Sequence, residues 1–275
     1  MVLLQREYSG SRMRSEVILE VMLSISGFPL QIMAAFSVPG ELRDEQVVFA
    51  SGALSSGFMA ADIADIRPGD TVAVWGCGGV GLMAIQSAFL LGAGRVIGID
   101  RFPLRLKAAR EMGGAEVMDY SKADFRELLM DMTGGRGPDR CIDAVGMEAN
   151  STGIGYLFDH VKQKLRLESD HCDVLQEAIK ACRKGGTVSI AGVYYGQVNK
   201  FPMGAAMSKG LNIKMGFCSP QKYIPVVLDH IINHRIDPSY LLTHKMPLER
   251  ACEGIDLVNN KKDICLRAVL TPNQC

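Results

Sequence analysis

The sequence predicts an α/β fold, a doubly wound parallel sheet with helices on both faces. Short apolar, β-branched runs alternate with helical patterns along most of the chain, which is typical of parallel strands joined by helical crossovers. A glycine-rich turn separates the first of these runs from the helix that follows it. With 275 residues, of which 48% are hydrophobic, the chain can also bury a substantial core.

Charge and cysteine content argue against several classes of protein. Lysine plus arginine and aspartate plus glutamate number 30 each, so the net charge is zero and no nucleic-acid partner is expected. The eight cysteines form no CxxC pair and no zinc-ribbon spacing. They are typical of free thiols in a reducing compartment, so we expect a cytoplasmic protein without a structural zinc.

The amino-terminal segment 1–36 carries no clear period and stays unassigned, and its first part is expected to be loose. Its apolar stretch at 17–36 is the one candidate for a targeting or membrane segment. Glu20, Pro29 and Gln31 interrupt that stretch. Because a spanning helix or a secretory core needs an unbroken apolar run, we expect neither membrane insertion nor export.

Residues 37–70 precede the first strand of the predicted parallel sheet. A turn-rich segment at 37–43 is followed by one or two helices within 44–61, with a break expected near Ser51-Gly52. The segment 66–70 contains proline and glycine and is predicted to form a turn.

The glycine turn after the predicted strand 71–75 has the spacing of a dinucleotide fingerprint. Gly76 permits the tight turn, Gly78 lets the backbone approach a diphosphate, and Gly81 lets the next helix lie against the strand. The open N–H groups at the start of that helix, together with its dipole, would hold the phosphate charge.

A second predicted strand at 95–99 ends on Asp100, at the offset of about 20 residues from the glycines where a carboxylate binds an adenosine ribose. This carboxylate would repel a 2'-phosphate, so the pattern favours NAD over NADP. Two alternatives stay open: a Rossmann-like unit without a nucleotide, and an S-adenosylmethionine-dependent methyltransferase, whose ligand also lies on a glycine turn. The third glycine, Gly81, and the apolar Val80 favour the dinucleotide.

The remaining elements continue the alternation. Helices are predicted at 103–112, 123–132, 174–183, 221–234 and 247–259, and strands at 115–118, 140–144, 187–192, 211–216 and 264–270. Leu104, Ala108 and Met112 are expected to face inward from the first of these helices. The last strand has no place in the parallel sheet, so it is expected to pair elsewhere.

The segment 150–173 is longer than a simple crossover needs. His160 and His171 within it have no cysteine or carboxylate at convincing ligand spacing. We therefore expect surface histidines there rather than a metal site.

Residues 37 to 272 resemble the zinc-type, medium-chain alcohol dehydrogenases, through the segments GDTVAVWGCGGVGLMAIQSA, GGRGPDRCIDAVG, ACRKGGTVSIAGVY and FPMGAAMSKGL. The resemblance is nearest to bacterial glutathione-independent formaldehyde and zinc-dependent alcohol dehydrogenases. It implies hydride transfer between a small alcohol or aldehyde and NAD, assisted by a catalytic zinc. It also implies a catalytic-domain remnant at 37–70, an NAD-binding Rossmann domain at 71–236, and a return segment of a GroES-like catalytic domain at 237–275.

The resemblance implies a set of cofactor contacts that runs from the diphosphate through the adenosine to the nicotinamide. These residues are Gly76, Gly78, Gly79, Val80, Gly81, Asp100, Arg101, Arg105, Asp143, Val145, Gly192, Val193, Phe217, Cys218 and Arg267. For Arg267 an ordinary surface arginine is the alternative.

The resemblance fails at the zinc ligands. Two of the family's ligands belong to an amino-terminal catalytic domain that we do not recognise in this sequence, and alignment on Gly57 places Gly52 at the third. Glycine offers no side chain to a metal, so we predict no zinc and name no catalytic residue. An NAD-binding chain without turnover is therefore the alternative to an active enzyme.

One prediction concerns assembly. The strand at 211–216 would form the outer edge of the sheet, and an open apolar edge is a liability that pairing removes. We therefore expect a homo-oligomer through this edge.

Overall fold

The computed structural model describes residues 2–7, 16–21, 36–38, 42–121, 125–148, 169–170, 173–194, 197–198, 200–260 and 265–271. The chain forms two compact units, one of Ala60–Phe217 and one that combines Met1–Met59 with Cys218–Cys275. His160 and His171 lie outside the described residues.

The strands are β1 (Val2–Glu7), β2 (Glu16–Val21), β3 (Ser37–Val38), β4 (Thr71–Trp75), β5 (Arg95–Asp100), β6 (Glu116–Asp119), β7 (Arg140–Asp143), β8 (Ser169–Asp170), β9 (Thr187–Ile190), β10 (Gln197–Val198), β11 (Asn212–Met215), β12 (Leu242–Pro247) and β13 (Arg267–Thr271). The α-helices are α1 (Asp44–Val47), α2 (Ser55–Ile63), α3 (Gly79–Leu90), α4 (Pro103–Glu111), α5 (Phe125–Met132), α6 (Asp173–Ala181), α7 (Met203–Lys209), α8 (Pro220–Ile232) and α9 (Ala251–Asn260). A π-helical turn spans Ala50–Leu54, at the predicted break between α1 and α2.

The unit Ala60–Phe217 is built on a six-stranded sheet in the order β11-β9-β7-β4-β5-β6. All neighbouring strands in it are parallel. The chain adds β5 and β6 on one side of β4 and then crosses to add β7, β9 and β11 on the other. This order places the switch point beside β4, as in doubly wound sheets. The predicted fold class is confirmed.

Both faces of this sheet are covered, because its strands bury apolar residues on each side. On one face a Cβ placed on Gly98 of β5 would lie 3.2 Å from Ile85 of α3, so that helix packs closely on the strand. On the other face Ile97 belongs to a buried cluster with Leu129 of α5 and Ile179 of α6. The helices thus flank the sheet as predicted.

The unit that combines the two chain ends contains smaller sheets. Strands β1 and β2 pair antiparallel, from Val2 opposite Val21 to Glu7 opposite Glu16, and β3 extends this sheet. The expectation of a loose start is therefore wrong for 2–7. The two segments satisfy each other's backbone N–H and C=O groups. Such pairing does not require a hydrophobic period within either segment, so the sequence pattern did not predict it.

The end of the chain forms a parallel pair of β12 with β13, so the last strand pairs outside the six-stranded sheet, as expected. The predicted start of the last helix at Pro247 is wrong. Pro247 has an extended backbone and ends β12, and a 3-10 turn at Leu248–Arg250 leads into α9.

The expectation that Met112 faces inward is also wrong, since Met112 is 52% exposed. Gly113 takes the inward position instead: a Cβ there would lie 2.6 Å from the carbonyl oxygen of Ala109.

Within the described ranges, no helix is both long enough and apolar enough to cross a bilayer.

Candidate dinucleotide site

The glycine turn between β4 and α3 adopts the geometry predicted for it. Gly76 has φ +87°, a left-handed conformation that favours glycine. A Cβ on Gly81 would lie 1.7 Å from the carbonyl oxygen of Gly76, so any side chain there would separate the helix from the turn. Gly78 has an extended backbone and immediately precedes α3.

The first turn of α3 presents unpaired backbone donors. Leu82 N–H donates to the Gly78 carbonyl at 2.8 Å, which is the first bond of the helical ladder. The N–H groups of Gly79, Val80 and Gly81 precede that bond and are free to bind an anion. Gly79 and Gly81 carry no side chain, so a diphosphate could approach the backbone closely at these two positions.

Asp100 ends β5 beside this turn and is 4% exposed. Its Oδ2 accepts a hydrogen bond from Cys77 N–H at 2.7 Å, and its Oδ1 accepts from Arg101 N–H at 2.7 Å and Phe102 N–H at 3.0 Å. A carboxylate has about four acceptor positions. Three backbone donors therefore leave room for about one ribose hydroxyl.

Two arginines flank the same carboxylate. Arg105 Nη1 lies 3.8 Å from Asp100 Oδ2 and the same distance from a Cβ placed on Gly78. The guanidinium groups of Arg105 and Arg101 lie 4.9 and 5.0 Å from the centre of the Phe102 ring. Arg105 Nε is buried and has no hydrogen-bond partner. The structure thus brings a cation to the predicted diphosphate and adenosine positions.

Asp143 ends β7 and is fully buried. Its Oδ1 accepts from Val145 N–H at 2.9 Å and Gly146 N–H at 3.0 Å, and its Oδ2 accepts from the Tyr194 hydroxyl at 2.7 Å. Burial raises the pKa of Asp143, although these three hydrogen bonds oppose that shift. The carboxyl group therefore shapes the loop after β7.

The loops after β7 and β9 lie against each other. Met147 N–H donates to the Val193 carbonyl at 3.0 Å, and Gly192 N–H donates to the Asp143 carbonyl at 2.8 Å. A Cβ on Gly192 would lie 2.2 Å from Gly146 N, so this approach requires glycine. Val145 closes over the glycine turn, since its Cγ2 would be 2.5 Å from a Cβ on Gly76.

Most of the predicted set therefore meets at the carboxyl edge of one sheet, where ligands of doubly wound folds bind. Phe217 follows β11 in the same unit and is 63% exposed. Cys218 and Arg267 belong to the other unit, and their cofactor contacts remain predictions. Sequence reasoning missed Tyr194, whose bond to Asp143 depends on the adjacency of β7 and β9 and has no local signal.

The described residues do not offer the ligands of a catalytic zinc. Gly52 lies in the π-helical turn, and a Cβ on it would meet nothing within 4 Å. No group of three His, Cys, Asp or Glu side chains in the described ranges could hold a metal ion. Burial raises the pKa of the Cys77 and Cys218 thiols, which disfavours the thiolate that binds metals.

Comparison with known proteins identifies the family. A family model described as "Zinc-binding dehydrogenase" matches residues 79–158. An uncharacterised zinc-type alcohol dehydrogenase-like protein of Bacillus subtilis (strain 168) is 35% identical over 247 residues, 89% of this chain and 64% of that protein. An NADP-dependent isopropanol dehydrogenase of Thermoanaerobacter brockii is 30% identical over 75% of this chain and 53% of its own length.

Among solved structures, an alcohol dehydrogenase from Thermus sp. ATN1 matches with a TM-score of 0.71 and 31% identity, over 87% of this chain and 63% of that one. The chain thus spans less than two thirds of the length of these relatives. Together with the strand, glycine turn, helix and acid described above, these matches show that the chain belongs to the zinc-type, medium-chain alcohol dehydrogenase family of oxidoreductases.

Proposed function

We propose that the chain binds NAD at the carboxyl edge of its six-stranded sheet, as the cofactor-binding part of an NAD-dependent alcohol or aldehyde oxidoreductase. The observation that carries this proposal is the 2.7 Å hydrogen bond from Cys77 N–H to Asp100 Oδ2. It joins the glycine turn and the acid into one preformed unit, so that diphosphate and ribose positions are set before the cofactor arrives.

Each part of the unit has a defined task. The N–H groups of Gly79, Val80 and Gly81 and the positive end of the α3 dipole hold the diphosphate. Arg105, beside Gly78, adds a cation to the same position. Asp100 accepts a ribose hydroxyl, and Val193 lies on the loop that leads toward the nicotinamide. The bound NAD supplies the hydride acceptor.

The choice of NAD over NADP rests on Asp100. A 2'-phosphate would come against a buried carboxylate, whose like charge opposes it in a poorly solvated position. Arg101 and Arg105 act in the other direction, but Arg105 already lies beside Asp100. We therefore expect NAD to bind more tightly, with NADP weaker rather than excluded.

The second candidate is an NAD-binding chain without turnover. It is favoured by Gly52 at the aligned ligand position, since a catalytic zinc takes three protein ligands and glycine supplies none. Without a Lewis acid, the hydroxyl that donates hydride keeps the high pKa of an ordinary alcohol.

One set of measurements tests the proposal and separates the candidates. Trp75 is the single tryptophan and directly precedes Gly76, so bound NADH should quench its fluorescence by energy transfer. Saturable quenching, absent in Gly81→Val, supports the cofactor site; a linear response to NADH would refute it. Metal analysis, together with NADH absorbance in the presence of short alcohols or formaldehyde, then shows whether the chain catalyses hydride transfer. Zinc together with chelator-sensitive NADH formation would exclude the second candidate.

We further propose that the chain forms a homo-oligomer through β11, one of the two edge strands of its six-stranded sheet. Met215 on this strand is 65% exposed, and Met207 on α7 is 75% exposed. Light scattering at tens of micromolar should give a multiple of the chain mass, and Met215→Lys should lower it. A wild-type chain that stays monomeric would contradict this assembly.

A further inference from the structure

A pocket lies at the amino ends of the sheet strands, opposite the dinucleotide site at their carboxyl ends. It has a volume of about 500 Å³ and is lined by Gly135, Arg136, Asp139, Arg183 and Lys184. These residues belong to the turns that precede β7 and β9, which are neighbouring parallel strands. The amino ends of parallel strands share one edge, so the two turns form one rim.

The pocket has an excess of positive charge. Three of its five residues are cations, and Asp139 is its one acid. Asp139 is already engaged, since its Oδ2 accepts Thr71 N–H at 2.8 Å and its Oδ1 accepts from Arg183 Nε. Arg136 and Lys184 are exposed and form no ion pair with the described part of the chain. These two charges are therefore available to a ligand.

Both turns are held in place by the scaffold. Gly137 N–H donates to Thr133 Oγ1 at 3.1 Å, Arg183 N–H donates to the Pro138 carbonyl at 3.0 Å, and Gly185 N–H donates to the Lys209 carbonyl at 2.7 Å. A Cβ on Gly137 would lie 2.0 Å from the carbonyl oxygen of Ala181, so the two turns touch through their backbones. A ligand would meet a preformed rim.

Open space lies beside these turns. A Cβ placed on Gly135 would meet nothing within 4 Å. The φ of +75° at this position favours glycine over residues with a side chain. The Gly135 N–H is not available to a ligand, because it already donates to the Met130 carbonyl. The side chains that can recognise an anion here are those of Arg136, Arg183 and Lys184.

We propose that this pocket binds the phosphate group of a small phosphorylated molecule, at a site separate from the dinucleotide site. Besides the Asp139–Arg183 pair, the pocket has two cations, Arg136 and Lys184. Their combined charge matches the charge of about −1.5 to −2 that a phosphate monoester carries near neutral pH. Arginine presents a planar fork that suits phosphate oxygens, and lysine adds a point charge. The volume of about 500 Å³ is large enough to admit a small phosphorylated molecule.

The test is calorimetric titration with glycerol 3-phosphate and with inorganic phosphate, in a phosphate-free buffer of low ionic strength. The double variant Arg136→Gln, Lys184→Gln removes the two free cations, and Arg110→Gln on the exposed side of α4 is the matched control. With the dinucleotide site filled by NAD, we expect one saturable site that weakens at least about tenfold in the double variant, as for lost charge-assisted hydrogen bonds, and stays unchanged in the control. Tighter binding of the ester than of inorganic phosphate would identify an organic ligand, and equal binding would identify free phosphate.

Binding that is equal in the double variant and the wild type, or no saturable binding of either probe, would overturn the proposal. The circular dichroism spectrum and NADH quenching of the double variant must match the wild type. If it unfolds, the single variant Lys184→Gln, at an exposed turn position, replaces it and should still weaken binding. The titration is repeated with saturating NAD, because phosphate bound at the glycine turn would then be displaced while phosphate in this pocket would not.

Discussion

Replacing Asp100 by alanine should destabilise the fold as well as the cofactor site. The carboxylate is 4% exposed and accepts three backbone hydrogen bonds. The bond from Cys77 N–H is buried, so its loss leaves an unsatisfied donor, at a cost of about 1–3 kcal/mol. The bonds from Arg101 and Phe102 are part-buried, and water can replace them in part.

The sum is a loss of about 3 kcal/mol in the free energy of unfolding, since the two part-buried bonds add about 1 kcal/mol together. Loss of the contact with Arg105 at 3.8 Å acts in the same direction, because the pair is largely buried. Urea unfolding followed by circular dichroism measures this loss. A loss smaller than about 0.5 kcal/mol in the free energy of unfolding would refute the structural role of the carboxylate, because even one unsatisfied buried donor costs more.

Asp119 provides a matched control. It is the register partner of Asp100 on β6, and its Oδ1 accepts from Ser121 N–H at 3.0 Å and from Ser121 Oγ at 2.6 Å on a more exposed surface. Water can replace both of these exposed bonds, so Asp119→Ala should cost about 1 kcal/mol at most. If the two variants lose equal stability, burial of the Asp100 bonds is not the cause.

Two further predictions follow from the turns. Gly81→Ala should lower the free energy of unfolding by roughly 3 kcal/mol and abolish NADH quenching, because its Cβ would overlap the Gly76 carbonyl. Gly52→Ala is the control and should change the free energy of unfolding by no more than about 1 kcal/mol. Equal losses in the two variants would refute the packing argument. Burial raises the pKa of Asp139, but hydrogen bonds from Thr71 N–H and Arg183 outweigh it and hold the pKa below the ordinary value. Its stabilising contribution is therefore complete above that ordinary value of about 3.9 and is lost as pH falls below it. Acid titration of unfolding should show a shallower loss in Arg183→Gln, and parallel curves would contradict this.

The fold of the six-stranded unit could be predicted from the sequence, because its strands, turns and helices each have a local sequence pattern. Buried strands such as β4 and β5 read as short apolar runs. Gly76 has a positive φ, and a Cβ on Gly81 would overlap a backbone carbonyl, so both positions require glycine. The offset of Asp100 from the turn likewise follows from one helix and one strand of ordinary length.

Features that depend on pairing between distant segments could not be predicted. Strands β1 and β2, the hydrogen bond from Tyr194 to Asp143, and the rim formed by Arg136 and Lys184 all arise from adjacency in the fold. The three backbone hydrogen bonds that the Asp100 carboxylate accepts were also not predicted, because the sequence does not show which N–H groups surround it. The domain bounds at 71 and 236, and the cofactor roles of Cys218 and Arg267, remain predictions.

The most direct test of the central claim is calorimetric titration of the purified chain with NAD and with NADP under identical conditions. The account predicts one NAD site per chain and an affinity for NADP weaker by at least about tenfold, or about 1.4 kcal/mol, because a 2'-phosphate would face the Asp100 carboxylate. Asp100→Gly, studied at a temperature where it is folded, should bring the two affinities together. Equal affinities in the wild-type chain, or no saturable heat with NAD, would contradict the account.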